Sequence, residues 1–185
     1  MEITKRKIFA LEGEWNNKPT DRASVIDVLS YLEKVNGFEY FHRRIATKEE
    51  FFHHLGRSGF KKYDIAYLTF HGSRNKIYPL GNPKDEGIDL EELLNYRDFF
   101  VGKIVHFGSC ETLRLDEEEL TRFKKDLGAK NISGYTKSVD WMDSGILDLA
   151  YFNLWGFYKK RGLDLEKELR RQYGGLCEDL GFIMV

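Results

Sequence analysis

Two apolar stretches decide the fold of this chain: DIAYLTFHG at residues 64–72 and KIVHFGSCET at residues 103–112. Each is a nearly continuous apolar run with the length of a buried strand, and each ends in loop-forming residues. Runs of this kind suit parallel strands that are covered on both faces. Ligands bind at the carboxyl ends of the strands in such sheets. We therefore expect His71 and Cys110 to lie together at one edge of a parallel sheet.

Strand and helix patterns alternate along the rest of the chain, as they do in a parallel sheet with crossover helices. A capping box from Thr47 to Glu50 and an acidic run at residues 116–119 mark helix starts. The other predicted strands are residues 7–12, 38–45 and 131–135 and an edge strand in residues 180–185. The predicted helices centre on residues 25–32, 48–55, 90–96, 117–127, 147–158 and 165–173. The pattern predicts an α/β three-layer sandwich, with about six mostly parallel strands and helices on both faces.

Composition sets the class of protein. The 185 residues are 42% hydrophobic, enough for one core, so we expect a single domain over residues 1–185. With 29 basic and 30 acidic residues, and no block of like charge outside a helical pattern, nothing indicates a nucleic-acid partner. The sequence shows neither a signal-peptide pattern nor an apolar stretch long enough for a membrane span, which predicts a cytoplasmic protein without a membrane partner.

The two cysteines, Cys110 and Cys177, are far apart and show no Cys-x-x-Cys spacing. We therefore expect no disulfide framework and no zinc knuckle, and neither a metal nor a cofactor. His53 and His54 are adjacent on a predicted helix and point about 100° apart, so they do not form the i, i+4 pair of a helical metal site. A reducing compartment, in which Cys110 stays a free thiol, fits these observations.

Cys110 and His71 have the residue types of a nucleophile and its base. A thiolate attacks a carbonyl carbon, and a neighbouring imidazole that takes the thiol proton activates it. Free cysteine is also a common buried hydrophobe, but the polar residues around Cys110 place it at a turn. His71 alone is equally consistent with a structural histidine. Gly72 next to it favours function, since a residue without a Cβ lets a backbone N–H approach a substrate closely.

These residues resemble a known family. An apolar strand followed by His71-Gly72, and a second one ending Gly108-Ser-Cys110-Glu-Thr112, is similar to the caspase-like cysteine peptidases of clan CD, which include clostripain, gingipains, separase and metacaspases. The pattern is most similar to the bacterial CHAT branch, whose motif commonly reads Ser-Ala-Cys-Glu-Thr-Gly. Leu113 replaces the trailing glycine here. The caspase signature Gln-Ala-Cys-x-Gly is absent, and 39 residues (110 − 71) separate the histidine from the cysteine, fewer than the roughly fifty of caspases.

The resemblance implies a cysteine endopeptidase. Cys110 would attack the peptide carbonyl, His71 would handle the protons, and the backbone N–H groups of Gly72 and Cys110 would stabilise the oxyanion. The implied partners are a protein or peptide substrate and an activating or regulatory protein.

Specificity in this clan depends on the pocket for the residue before the scissile bond, and members that cut after arginine or lysine have a carboxylate there. Asp140 and Asp143 are the candidates, because a carboxylate pairs well with a guanidinium. Both also lie at the start of the long helix, where acids cap the N-terminus and complement the dipole. Glu111 directly follows the nucleophile and either orients the loop and the substrate or is a solvated acid.

Three further side chains have structural interpretations. His106 lies about 13 Å before Cys110 along its strand, at a rise of about 3.3 Å per residue, so we expect a buried, hydrogen-bonded histidine. Trp141 and Trp155 are expected in the core.

Two other functions compete with a peptidase. One is a catalytically silent caspase-fold module that binds a protein partner and retains the dyad. The other is a flavodoxin-like nucleotide or phosphate binder that uses the same crevice, although no Gly-x-Gly-x-x-Gly or Walker lysine motif supports it.

Overall fold

The structure is a computed structural model that describes residues 5–15, 22–80, 86–157 and 162–185. Its strands are β1 (Lys7–Glu12), β2 (Glu39–Arg44), β3 (Ile65–Thr69), β4 (His71–Ser73), β5 (Lys76–Tyr78), β6 (Ile88–Asp89), β7 (Ile104–Phe107), β8 (Asn131–Tyr135) and β9 (Phe182–Met184). Its α-helices are α1 (Ile26–Asn36), α2 (Lys48–Leu55), α3 (Arg97–Phe100), α4 (Glu117–Leu127), α5 (Trp141–Phe157) and α6 (Gly162–Leu180), and 3₁₀ helices cover Ser58–Phe60 and Leu90–Tyr96.

A six-stranded sheet with the order β2-β1-β3-β7-β8-β9 forms the middle layer. All neighbours in it are parallel except β8 and β9, which are antiparallel. The predicted fold class, a mostly parallel six-stranded sheet with helices on both faces, is confirmed. Strand order reverses around β1 and β3, which opens a crevice at the carboxyl ends of the central strands.

Alternate residues of the strands point into two separate cores, one on each face of the sheet. Ile8, Ala10 and Ile65 pack with α1, α5 and α6. Phe9 and Leu11 pack on the opposite face, with α2, α3 and α4. Because both faces are covered, β1 and β3 carry apolar residues at consecutive positions, Ile8–Leu11 and Ile65–Leu68, rather than at every second one. This explains why β1 and β3 appear in the sequence as continuous apolar runs.

Local capping chemistry fixes several helix ends. Asp116 and Glu119 form a complete capping box at α4, with bonds of 2.8 and 3.1 Å between side chain and backbone. The box predicted at α2 is half formed: Thr47 Oγ1 accepts from Glu50 N at 3.1 Å, but the Glu50 carboxylate accepts from Ala46 N instead of Thr47 N. The side chain of residue 50 therefore satisfies the amide one position earlier.

The second sheet, with the order β4-β5-β6, was not predicted. Strand β3 ends at Thr69, and His71 begins β4, so His71 lies two residues beyond the strand that was expected to end on it. Of the turn-rich segment predicted at residues 81–87, residues 81–85 lie outside the described residues. Within the described ranges, no helix has both the length and the apolar character needed to cross a bilayer.

Candidate functional site

Parallel pairing of β3 and β7 brings the two reactive side chains to the same edge. Leu68 on β3 lies opposite Phe107 on β7, so the chain leaves both strands at the same height. His71 and Cys110 follow within four residues of these positions, and both line one cavity of about 600 Å³. The structure therefore places the predicted nucleophile and base at one site.

Two contacts lock the loops after β3 and β7 together. The backbone N–H of Phe70 donates to Ser109 Oγ at 2.9 Å. On the other side of His71, a Cβ added to Gly72 would overlap the carbonyl oxygen of Cys110 and the Thr112 hydroxyl. Only glycine allows this approach. The glycine after the histidine thus sets the distance between the backbones of the two loops.

The thiol of Cys110 is half-buried and faces polar groups of the loop after β8. Its Sγ accepts a hydrogen bond from Val139 N–H at 3.4 Å and lies 3.9 Å from the hydroxyl oxygen of Ser138. Its S–H donates to the carbonyl oxygen of Val139, 3.8 Å away. The other cysteine, Cys177, is 1% exposed, and burial raises the pKa of its thiol. The two thiols therefore differ in surroundings: Cys110 lines the cavity, and Cys177 lies in the core.

Glu111 shapes the turn that presents Cys110. Its φ of 52° lies in the left-handed region, which is uncommon for a residue other than glycine. The turn is held by Glu111 N–H, which donates to Lys137 O at 2.9 Å. The carboxylate lies 3.7 Å from the Arg114 guanidinium and is not among the groups that line the cavity. In this structure Glu111 acts on the loop through its backbone.

His71 is oriented by a backbone carbonyl. Its Nε2 lies 2.9 Å from the carbonyl oxygen of Trp15. A carbonyl only accepts, so Nε2 carries the proton and Nδ1 of the neutral ring keeps a lone pair. The Trp15 ring also packs edge-on against the imidazole, with centroids 5.3 Å apart. No direct hydrogen bond joins the side chains of His71 and Cys110.

Trp15 is itself anchored by Glu12, a fully buried carboxylate at the end of β1. Trp15 Nε1 donates to Glu12 at 2.6 Å, and Ser24 Oγ, Val25 N and His42 Nε2 donate at 2.7, 2.9 and 2.6 Å. Burial alone would raise the pKa of Glu12, but these hydrogen bonds outweigh it and lower that pKa below its usual value. The carboxylate therefore stays charged and holds the loop whose carbonyl orients His71.

The walls of the cavity are largely apolar. Trp15 and Trp141 meet there, with ring centroids 4.7 Å apart. Trp155 lies in the core as predicted, but Trp141 is 41% exposed and lines the cavity, so its predicted core position is wrong. Trp141 is the first residue of α5, and the buried residues of this helix begin only at Ser144.

Asp140 and Asp143 lie at the N-terminus of α5. Oδ1 of Asp140 accepts from Met142 N at 2.8 Å and from Asp143 N at 3.2 Å, which is the N-cap arrangement. Both aspartates are exposed, and neither lines the cavity beside Cys110. Of the two roles considered for these residues, a substrate pocket and a helix cap, the structure shows the helix cap.

A different aspartate, Asp148, lies at the inner end of the cavity. Its Oδ1 accepts from His106 Nε2 at 2.7 Å and from the Tyr135 hydroxyl, and its Oδ2 accepts from the Tyr67 hydroxyl at 2.5 Å. His106 Nδ1 lies 2.8 Å from Ser133 Oγ. The histidine is thus buried and hydrogen-bonded, as predicted. Burial and the charge of Asp148 raise the pKa of Tyr67 and Tyr135 well above the usual value, so both hydroxyls stay protonated and donate.

Sequence reasoning missed Trp15, Glu12 and Asp148. A signal existed for Asp148, because it lies three residues before Tyr151 and seven before Trp155, on the apolar stripe of the long helix. An acid at such a position must have buried partners. Nothing in the sequence marks Trp15, which follows β1 in an irregular segment. Across the described residues, no group of three His, Cys, Asp or Glu side chains is arranged to hold a metal ion.

Comparisons with known proteins support the fold. A family model described as "Family of unknown function (DUF6642)" matches residues 5–185. No curated protein sequence matches the chain. Among solved structures, the crystal structure of the Drosophila initiator caspase Dronc is similar over 91% of this chain and 74% of its own, with 11% identity and a TM-score of 0.54. An apo structure of the NADH:FMN oxidoreductase EMOB covers 95% of this chain and 90% of its own, at 12% identity and a TM-score of 0.43. The fold is caspase-like.

Proposed function

This chain belongs to DUF6642, a family of unknown function, and we propose that it is a cysteine peptidase that hydrolyses peptide bonds of a protein substrate through Cys110 and His71. One observation carries the proposal. The thiol and the imidazole line the same cavity, at the ends of two adjacent parallel strands whose loops are held together by the Gly72 contact. A caspase-like fold with a Cys–His pair at this edge matches the chemistry of nucleophilic acyl transfer.

The proposed reaction has two steps. Cys110 Sγ attacks the carbonyl carbon while its proton passes to Nδ1 of His71, the nitrogen left free by the Trp15 hydrogen bond. The C–N bond then breaks as the imidazolium returns that proton to the leaving amine. Water hydrolyses the thioester with His71 as base and releases the acid. The backbone N–H of Gly72 and Cys110 are the proposed oxyanion donors; Cys110 N–H donates to no backbone carbonyl among the described residues.

Assignment to the CHAT branch is part of the proposal and rests on the Ser109–Cys110–Glu111–Thr112 motif. Regulation by a protein partner is also part of the proposal. A preference for arginine or lysine before the scissile bond belongs to it as well, although Asp140 and Asp143 do not line the cavity.

Active-site labelling tests the proposal. Wild type, His71→Ala and Cys110→Ser are incubated with acyloxymethyl ketones, and the modified residue is located by peptide mass mapping. Rapid labelling of Cys110 that falls at least about a hundredfold in His71→Ala is the expected result. Cys177, with its raised pKa, is the internal control. Equal labelling of both cysteines in wild type and His71→Ala would contradict a working dyad.

The alternative function is a silent caspase-fold module that binds a protein partner. The missing direct hydrogen bond between His71 and Cys110 favours it. Iodoacetamide at neutral pH separates the two functions, because a poised thiolate reacts faster than an ordinary thiol. If the protein is a peptidase, iodoacetamide should alkylate Cys110 much faster than a model thiol, and this higher rate should be lost in His71→Ala. A module should show no effect of His71→Ala on that rate.

A further inference from the structure

The cavity beside Cys110 ends at a carboxylate. Asp148 lines this cavity, and its side chain is only 4% exposed. Gly108, two residues before the nucleophile, lies at the same place. A Cβ added there would lie 3.2 Å from Asp148 Oδ2. Gly108 and the Asp148 carboxylate are thus neighbours on the cavity wall, with no side chain at position 108 between them.

The carboxylate is held in a fixed orientation by its neighbours. Tyr67, His106 and Ser133 occupy paired positions on the adjacent strands β3, β7 and β8, and Asp148 lies above them on α5. Three donors reach it: His106 Nε2 and the hydroxyls of Tyr135 and Tyr67. An ionised carboxylate accepts about four hydrogen bonds. One acceptor position therefore remains, and Oδ2, with a single donor, provides it.

The charge around this acceptor is one-sided. The described residues that line the cavity include two acids, Asp148 at the inner end and the exposed Asp27, and no lysine or arginine. The walls between are apolar or aromatic, with Tyr31, Trp15 and Trp141 among them. An arginine or lysine side chain has the matching form, because its aliphatic stem packs on apolar surface and its cationic end pairs with a carboxylate or an aromatic face.

We propose that Asp148 selects a positively charged side chain, arginine or lysine, at the substrate residue immediately before the scissile bond. The inference rests on the proposed peptidase function and assigns its specificity to a residue of α5. Substrate binding would place a cation against Oδ2 without displacing any of the three existing donors. Asp140 and Asp143 keep their places at the helix cap.

The test uses ketone probes that differ only in the side chain before the reactive carbonyl: arginine, lysine, citrulline and norleucine. Citrulline has the shape of arginine without its charge, so wild type alone already measures the contribution of charge. We expect Cys110 to react about 10- to 100-fold faster with the arginine or lysine probe than with citrulline or norleucine, the range that one charge-assisted hydrogen bond supplies. In Asp148→Asn this ratio should fall toward one.

Asp27→Asn is the matched control, since it removes the other acid of the cavity from an exposed position. It should keep most of the preference, and thermal melting establishes that both variants fold. Equal rates for arginine and citrulline in wild type would overturn the assignment to Asp148 and leave the peptidase intact. The same holds if Asp148→Asn folds and keeps the full preference. Absence of labelling with every probe would overturn the specificity together with the peptidase.

Discussion

His71 donates its Nε2 hydrogen to the backbone carbonyl oxygen of Trp15, 2.9 Å away, and Trp15 is in turn fixed by a hydrogen bond from its indole to Glu12. The position of the imidazole thus depends on a buried carboxylate at the end of another strand. The backbone carbonyl of Trp15 contacts the ring nitrogen, and its indole packs against the imidazole. Substitution at position 15 therefore acts on His71 through the loop and through this ring contact.

Trp15→Phe removes the indole N–H but keeps an aromatic ring. We expect Cys110 to react with iodoacetamide about tenfold more slowly or worse, since small displacements of a catalytic group are costly, and the pH profile of the reaction to change with it. Ser24→Ala is the control, because it deletes another donor to Glu12 without touching Trp15. Similar effects of both substitutions would mean that Glu12 stabilises the fold and does not position His71.

Gly72→Ala should damage both stability and the site. The added methyl would overlap Cys110 O and the Thr112 hydroxyl, so we expect the free energy of unfolding to fall by about 1–3 kcal/mol, as for other overpacked positions. Labelling of Cys110 should fall as well. Gly59→Ala, where a Cβ meets nothing within 4 Å, is the matched control. Urea unfolding measures the first effect, and wild-type stability of Gly72→Ala would refute the close approach.

Glu111 holds a left-handed conformation that costs about 1–2 kcal/mol in a residue with a Cβ. Glu111→Gly should therefore be more stable than Glu111→Ala by about 1 kcal/mol, measured by chemical denaturation. The comparison between the two variants removes the effect of losing the carboxylate. If the alanine variant is as stable as the glycine variant, the turn is not strained.

Tyr135→Phe leaves Asp148 with one donor fewer. A buried carboxylate that loses a hydrogen bond is destabilised by about 1–3 kcal/mol, so the melting temperature should fall while the core volume is nearly unchanged. Tyr31→Phe is the control, because Tyr31 lies on the cavity wall and is 54% exposed, and this change should have little effect. A neutral result for Tyr135→Phe would show that Tyr67 and His106 suffice to hold Asp148.

Lys103, at the end of the sheet opposite the cavity, should make the free energy of unfolding depend on pH. Its ammonium is buried against the carbonyls of Tyr63 and Lys61, at 2.5 and 2.8 Å, and burial lowers the pKa of Lys103 to about 8. Between pH 8 and 10.5 the unfolded chain binds the proton more tightly than the folded chain, so the free energy of unfolding should rise with pH over this interval.

The rise attributed to Lys103 amounts to at most about 3 kcal/mol. Lys103→Met should lose this rise. Lys62→Met is the control, because it removes an exposed lysine from the loop that Lys103 contacts. Denaturant midpoints measured at pH 8 and above decide the matter, and identical pH profiles for wild type and Lys103→Met would contradict the lowered pKa.

Much of the architecture could be predicted because each central strand is buried on both faces and leaves a continuous apolar run. The predicted bounds of β1 and β8 match the structure, and β1 contains such a run, Ile8–Leu11. The small sheet could not be predicted, since β4, β5 and β6 have two or three residues each and show no period. Short strands of this kind form because tertiary contacts, here with the loop of Cys110, hold them in place.

The site divides in the same way. His71, Gly72 and Cys110 stand next to strong strand signals, so the sequence could place them at one edge. Trp15 acts through a carbonyl that any residue possesses, and no residue type marks such a role. Asp148 was available from helical periodicity, but its partners come from three other strands, and no spacing in the sequence links them.

The pairing of β3 with β7 also has a consequence for the order of events in folding. The segment that connects the two strands is long and includes the small sheet and α3, so their contact is non-local and slow to form. Until it closes, the chain contains a thiol and an imidazole far apart in solution. Completion of the central sheet is therefore the event that brings Cys110 and His71 together at one edge, and a chain in which β3 and β7 have not yet paired lacks that arrangement.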